Sequence, residues 1–138
     1  MRATLFALAA LCFAPPALAQ EDPSVPALAQ EAPSMVGTWS GSVEGVGIRD
    51  GWSSGEITFI ITEQHGSAFM GHALYPEADG EGRNQFVGAL AMDGRTITTA
   101  DEDGFTTGFL VDPNTYEQCY FEAGEDAKVA CVRLTRQP

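Results

Sequence analysis

The sequence predicts an all-β protein, an eight-stranded antiparallel up-and-down barrel, and three observations carry that expectation. From Met35 onward, short apolar runs are punctuated by Gly, Asp, Asn and Pro. No window of about 11 residues in that stretch carries the period of an amphipathic helix. The strand-like runs number eight and most are joined by tight turns. Sequential hairpins favour an up-and-down order, and eight strands in that order close into a barrel, which removes exposed sheet edges.

The chain has 138 residues, the size of one domain. Residues 1–19 begin with Arg2, continue with an apolar run from Ala3 to Ala14 and end on Ala17-Leu18-Ala19. That pattern predicts a secretory signal peptide, and the run is too short for a spanning helix of about 20 residues. Cys12 follows the bulky Leu11 inside the run, where a lipoprotein signal has a small residue, so it reads as incidental. The motif Pro-Ala-Leu-Ala-Gln-Glu occurs at residues 16–21 and again at 26–31, so cleavage after Ala19 or Ala29 fits, with Ala19 directly following the apolar run. Residues 20–34 are rich in proline and poor in core formers and predict a flexible leader. Residues 35–138 form the expected barrel domain, in an exported protein of periplasm or exterior.

Residues 1–19 carry one basic and no acidic residue, so cleavage leaves 6 basic against 19 acidic residues. That balance argues against binding nucleic acid or an anionic membrane surface, both of which select positive charge. No later segment is apolar enough for a membrane span.

The eight runs are 36–45, 55–63, 67–75, 84–91, 95–100, 104–111, 115–122 and 127–136. Asp93-Gly94 is the strongest two-residue hairpin signal. Gln64-His65-Gly66, Asp101-Glu102-Asp103-Gly104, Asp112-Pro113-Asn114 and Gly124-Glu125-Asp126 supply the other tight turns, with Asp and Asn capping, Gly giving positive φ and Pro presetting φ. Two connections read as longer loops, 46–54 with Trp52 in it, and 76–83. The second strand alternates Ile57, Phe59, Ile61; the fourth Phe86, Gly88, Leu90; the sixth Phe105, Thr107, Phe109, Val111. One inward face per strand follows.

Cys119 and Cys131 are the two cysteines left after cleavage, and an exported even pair predicts a disulfide. A hairpin centred on Glu125 places them directly opposite each other on one face, within reach of a cross-strand bridge.

Gly37-Thr38-Trp39, opening the first strand, resembles the Gly-X-Trp signature of the calycin barrels, the lipocalins and avidins. The resemblance covers the strand pattern of residues 36–136 and implies a calycin-like barrel whose final strand lays a basic residue across the tryptophan. Arg133 and Arg136 are the available residues, and register decides between them. A guanidinium on an indole face contributes about 0.5–2 kcal/mol. The lipocalin C-terminal helix is missing and the avidins' biotin-contacting residues do not map onto this chain, so biotin binding is not implied. The chain is also similar to small exported bacterial proteins with the same Val-Gly-Thr-Trp opening, a comparison that implies no activity.

No catalytic residue, metal site or cofactor is predicted. His65 and His72 straddle a strand, the acidic turn 101–104 lacks the spaced ligands of a calcium loop, and no serine or free cysteine sits in a nucleophile motif. Trp52, Tyr75, Tyr116 and Tyr120 are the candidate ligand-binding residues, as aromatics at loops and strand ends able to line a barrel mouth. The competing expectation is an interior filled by side chains, with phenylalanines 59, 69, 86, 105 and 109 as the filling. The functional expectation is a non-catalytic barrel binding a small apolar or aromatic molecule at its mouth; the alternative is a protein-binding module, an inhibitor or envelope accessory factor, selecting a basic partner.

Overall fold

The computed structural model describes residues 31–77 and 80–138. The expected signal peptide and most of the leader lie outside the described residues. Eight antiparallel strands close into a barrel in sequence order: β1 (Gly37–Gly47), β2 (Gly51–His65), β3 (Ala68–Glu77), β4 (Gly80–Leu90), β5 (Thr96–Ala100), β6 (Phe105–Asp112), β7 (Thr115–Glu122) and β8 (Lys128–Arg136). β8 pairs with β1, so no strand edge is left open.

Both expected long loops are largely strand. β1 and β2 pair to Gly47↔Gly51, and Trp52 faces Val46 within the ladder. Pairing of β3 with β4 extends to Glu77↔Gly80. The stretches Gly51-Trp52-Ser53-Ser54-Gly55 and Gly80-Glu81-Gly82 are poor strand formers by composition. They are extended because each has a partner strand to complete its backbone hydrogen bonds.

Faces follow from register. Trp39 pairs with Phe59, Phe59 with Ala73, and Gly71 with Phe86, all pointing in. In β6 the expectation is reversed: Thr106, Gly108 and Leu110 point in, opposite Tyr120, Gln118 and Tyr116, while Phe105, Phe109 and Val111 are exposed. Alternation shows which residues share a face and leaves open which face is inner. The core is therefore built by Phe59, Phe69 and Phe86 with Ile61, Leu90, Ile97, Leu110, Tyr116, Val132 and Leu134, and not by Phe105 or Phe109.

Cys119 and Cys131 are directly paired in the β7–β8 ladder and their sulfurs lie 2.01 Å apart, at disulfide distance. The pair sits on the outer face, out of phase with the inward Gln118 and Tyr120.

One end of the barrel is sealed. Trp39 is completely buried, meets Tyr116 edge-on at 4.9 Å, and donates its indole N–H to the Met35 carbonyl at 2.8 Å. The Arg136 guanidinium lies 4.0 Å from the indole centroid and donates to the Val36 and Ser34 carbonyls, each at 2.6 Å. Arg133 points outward instead and pairs with Glu117, Nε to Oε1 2.6 Å. Gln64 accepts the Met35 N–H and donates to the Pro33 carbonyl. Ala32 and Met35 pack on the core. The last residues of the expected leader are thus held against the sealed end.

The two arginines separate architecture from surface charge. Arg136→Ala removes the cation–π contact and two charged hydrogen bonds and lowers unfolding free energy by about 2–3 kcal/mol. Arg133→Ala breaks a solvent-facing pair and costs less than about 1 kcal/mol. Urea denaturation of the two variants reads the difference directly.

Candidate functional site

The end opposite Trp39 is the mouth, and its chemistry changes layer by layer. Phe59 and Phe86, with ring centroids 5.3 Å apart, cap the apolar core. A buried polar layer also faces the interior. Thr99 on β5, Thr106 on β6 and Gln118 on β7 are joined by hydrogen bonds, 2.7 Å between the two hydroxyls and 3.1 Å from Thr106 Oγ1 to Gln118 Oε1. Mutual hydrogen bonding is what makes burying three polar side chains tolerable.

Tyr75 and Tyr120 form the next layer. Tyr75 on β3 lies over Gly82 on β4; a Cβ there would come 2.4 Å from its ring. Tyr120 on β7 lies over Gly104, where a Cβ would come 2.7 Å from its hydroxyl. Glycine at these two positions lets each ring settle against backbone. Around them stand Glu122 and Lys128, paired at 3.0 Å, and the β5–β6 turn carrying Asp101 and Asp103. Tyr120 donates to Glu122 at 3.2 Å. Asp101 Oδ1 accepts the Asp103 and Gly104 N–H groups, and Asn84 donates to Asp103 at 3.4 Å.

Burial raises the Tyr75 phenol above its ordinary value, with Glu77, Asp103 and Asp101 adding to the shift and Lys128 opposing it. Burial likewise raises Tyr120, reinforced by Asp101, Glu122 and Asp103. Two tyrosines from different strands thus feel the same acidic turn. The hydrogen bond to Glu122 is the main influence holding the Lys128 ammonium above its ordinary value. Among these residues the acids Glu77, Asp101, Asp103 and Glu122 outnumber Lys128.

The predicted ligand-binding residues divide. Tyr75 and Tyr120 both lie at the mouth end, Tyr75 against Gly82 and Tyr120 against Gly104. Tyr116 does not: it is buried at the sealed end against Trp39, and burial alone raises its phenol far above the ordinary value. Trp52 is at the mouth end but faces outward and is 88% exposed. Sequence reasoning missed Thr99, Thr106, Gln118, Glu122 and Lys128. The paired cysteines show that Gln118 takes the face opposite Cys119, and the register makes that face the inner one. The threonines of β5 and β6 carry no such mark.

Among the described residues no group of three or more His, Cys, Asp and Glu converges as a metal site. His65 pairs with Glu63 at 2.7 Å on the surface. Among the described residues no hydroxyl of the mouth hydrogen-bonds to a histidine.

No protein-family model matches the chain, and no curated protein matches it in sequence. Solved structures match its fold. The structure of EF1p2_mFAP2b bound to DFHBI superposes with a TM-score of 0.56 at 13% identity, covering 74% of this chain and 93% of that one. A redesigned β-barrel, b11L5F_LGL, gives a TM-score of 0.55 at 16% identity, covering 78% and 96%. These similarities establish the small-barrel fold, which also fits the calycin-type architecture.

All three tyrosines of the chain have raised phenol pKa values. Because the folded values lie above the unfolded one of about 10, stability from this source is full below pH 10 and is lost as pH rises beyond it. An alkaline titration followed by tyrosinate absorbance is expected to show all three phenols ionising above the ordinary value, with Tyr116 ionising only together with unfolding. Ordinary titration of even one phenol near pH 10 in the folded protein would contradict the assignment.

Proposed function

We propose that the protein is an exported, non-catalytic barrel that binds a small aromatic molecule at its mouth, between Tyr75 and Tyr120. The observation that carries this reading is the placement of Tyr75 of β3 against Gly82 and Tyr120 of β7 against Gly104 at one end of the barrel, above a buried hydrogen-bonding layer. Ring faces supply stacking area, and Thr99, Thr106 and Gln118 supply orientation to a ligand that enters between the rings. The surplus of carboxylates narrows the ligand from generally apolar to aromatic with a positive charge or hydrogen-bond donors. The similarity to a barrel bound to a small molecule supports the architecture of this reading. Export is supported by the form of residues 1–19 and by a cysteine pair at disulfide distance, which persists in oxidising compartments.

Thermal unfolding with matched cationic, neutral and anionic aromatic compounds tests the reading. Cationic and neutral members are expected to raise the melting temperature and anionic members to leave it unchanged. A ligand at about a hundred times its Kd adds about 2.7 kcal/mol. Tyr120→Ala is expected to weaken the best ligand about tenfold. No stabilisation by any compound, or equal binding to a Tyr75→Ala, Tyr120→Ala double variant, would sink the proposal.

A further inference from the structure

The outer wall carries an organised apolar feature that the mouth does not use. In the ladders Phe105 pairs with Phe121, Phe121 with Val129, Val129 with Val46, and Val46 with Trp52. All five share the outer face, so the side chains form an unbroken stripe across β6, β7, β8, β1 and β2. Phe105 and Phe121 stack at 5.5 Å. Trp52 projects from the other end at 88% exposure. Beside the stripe lies a concavity of about 1090 Å³, with the Cys119–Cys131 pair, Phe109 and Val129 among its lining residues. A contiguous exposed apolar feature of this kind marks an interaction surface.

Its surroundings select for charge. Among the described residues, the cations nearest the stripe are already neutralised: Arg49 by Asp126 at 2.5 Å, Lys128 by Glu122, and Arg133 by Glu117. Glu44, one row below Val46, and Glu56 have no ion-pair partner there. The chain as a whole carries a net charge of −12. An apolar stripe with uncompensated acid beside it complements a chain that is apolar on one side and basic on the other.

Geometry narrows the form of that chain. The barrel is closed, so no strand edge is free to add another strand. Recognition must proceed through side chains. Four inter-strand steps of about 4.8 Å give the stripe a length of about 19 Å, the rise of about 13 helical residues. This exceeds a small ligand and fits an amphipathic helix laid across the strands. A bilayer is a poor match: beside the stripe, Phe109 and Val111 are interrupted by the charged Glu44, Glu117 and Arg133 of the same outer face, whereas a membrane barrel shows a continuous apolar band of about 25 Å.

We propose that this outer wall is a docking surface for a basic amphipathic helix of a partner protein, which lays its apolar face on the Phe105-to-Trp52 stripe and its cationic flank over Glu44 and Glu56. The surface is independent of the mouth, since its side chains lie on the opposite face of the same strands.

The test is fluorescence anisotropy of a labelled helical peptide of about 14 residues, with leucine on one face and lysine on the other. The purified protein is expected to bind it, with Trp52 emission shifting to the blue and affinity falling at high salt. The same composition scrambled, and a version with glutamate for lysine, are expected to bind at least about tenfold more weakly. Trp52→Ala and Phe105→Glu, at the two ends of the stripe and both exposed, are each expected to weaken binding about tenfold, while Tyr75→Ala at the mouth leaves it unchanged. Glu44→Gln with Glu56→Gln is expected to flatten the salt dependence. The proposal fails if the scrambled or acidic peptide binds equally, if neither stripe variant matters, or if no binding occurs. It also fails if sedimentation shows a dimer that Trp52→Ala dissociates, since a second copy then covers the stripe, or if the stripe variants abolish binding to neutral phosphatidylcholine vesicles with no effect on the peptide.

Discussion

Closure between β8 and β1 is the constraint on which the rest of the structure depends. An eight-stranded barrel has room inside for side chains and little more, so every strand must commit one face inward. The seam sets that commitment at Trp39↔Arg136. A slip of one residue there would turn one of the pair out to solvent and reverse the faces of the strands that follow. Arg136 holds the seam in two ways at once. Its charge rests on the indole, and its two amino groups satisfy the carbonyls of Ser34 and Val36, which precede β1 and have no strand partner. The cost is a partly desolvated guanidinium, whose pKa is lowered by burial. The resemblance of Gly37-Thr38-Trp39 to the calycin signature pointed to this contact, and the register gives it to Arg136.

From that sealed end the interior grades from dry to polar. Trp39, Met35, Ile61 and Leu134 make an apolar floor that needs no partner except the indole N–H, and Met35 supplies it. The Thr99–Thr106–Gln118 layer is polar yet almost fully buried, so its hydrogen bonds must be internal. Above it the phenols of Tyr75 and Tyr120 are kept neutral by burial and by acidic neighbours. Neutral phenols over a hydrogen-bonded layer add no unpaired charge at that end, which is the physical reason the proposed site is placed at the mouth rather than at the floor.

Much of this was legible in the sequence. The number and order of strands followed from turn chemistry, and the pairing of Cys119 with Cys131 followed from the symmetry of one hairpin about Glu125. β2 was read with the right inward face because Ile57, Phe59 and Ile61 alternate with polar residues. β6 was read with the wrong one. Phe105, Thr107, Phe109 and Val111 alternate just as cleanly, but their register with Phe121, Cys119 and Glu117 turns them outward. Local alternation cannot separate an apolar face turned to the core from one turned outward. Trp52 was misplaced for another reason: its glycine and serine neighbours imitate a loop, and only the facing strand makes them extended. The polar layer left no trace because single threonines and a glutamine look like surface residues until closure buries them.

The β6–β8 wall shows how little backbone separates the two candidate surfaces. Tyr120 faces the mouth and Phe121 the stripe; Lys128 faces the mouth and Val129 the stripe; Gly104 receives Tyr120 while Phe105 begins the stripe. Adjacent residues therefore belong to different surfaces, and the period of two along each strand separates them. The paired cysteines lie in the middle of this wall, on its outer face, directly behind Gln118 and Val132. A covalent tie there fixes the β7–β8 register, and with it both the aim of Tyr120 into the mouth and the alignment of Phe121 with Val129 outside. A register slip between these strands would disorder both surfaces together, which gives the disulfide a role in positioning as well as in stability.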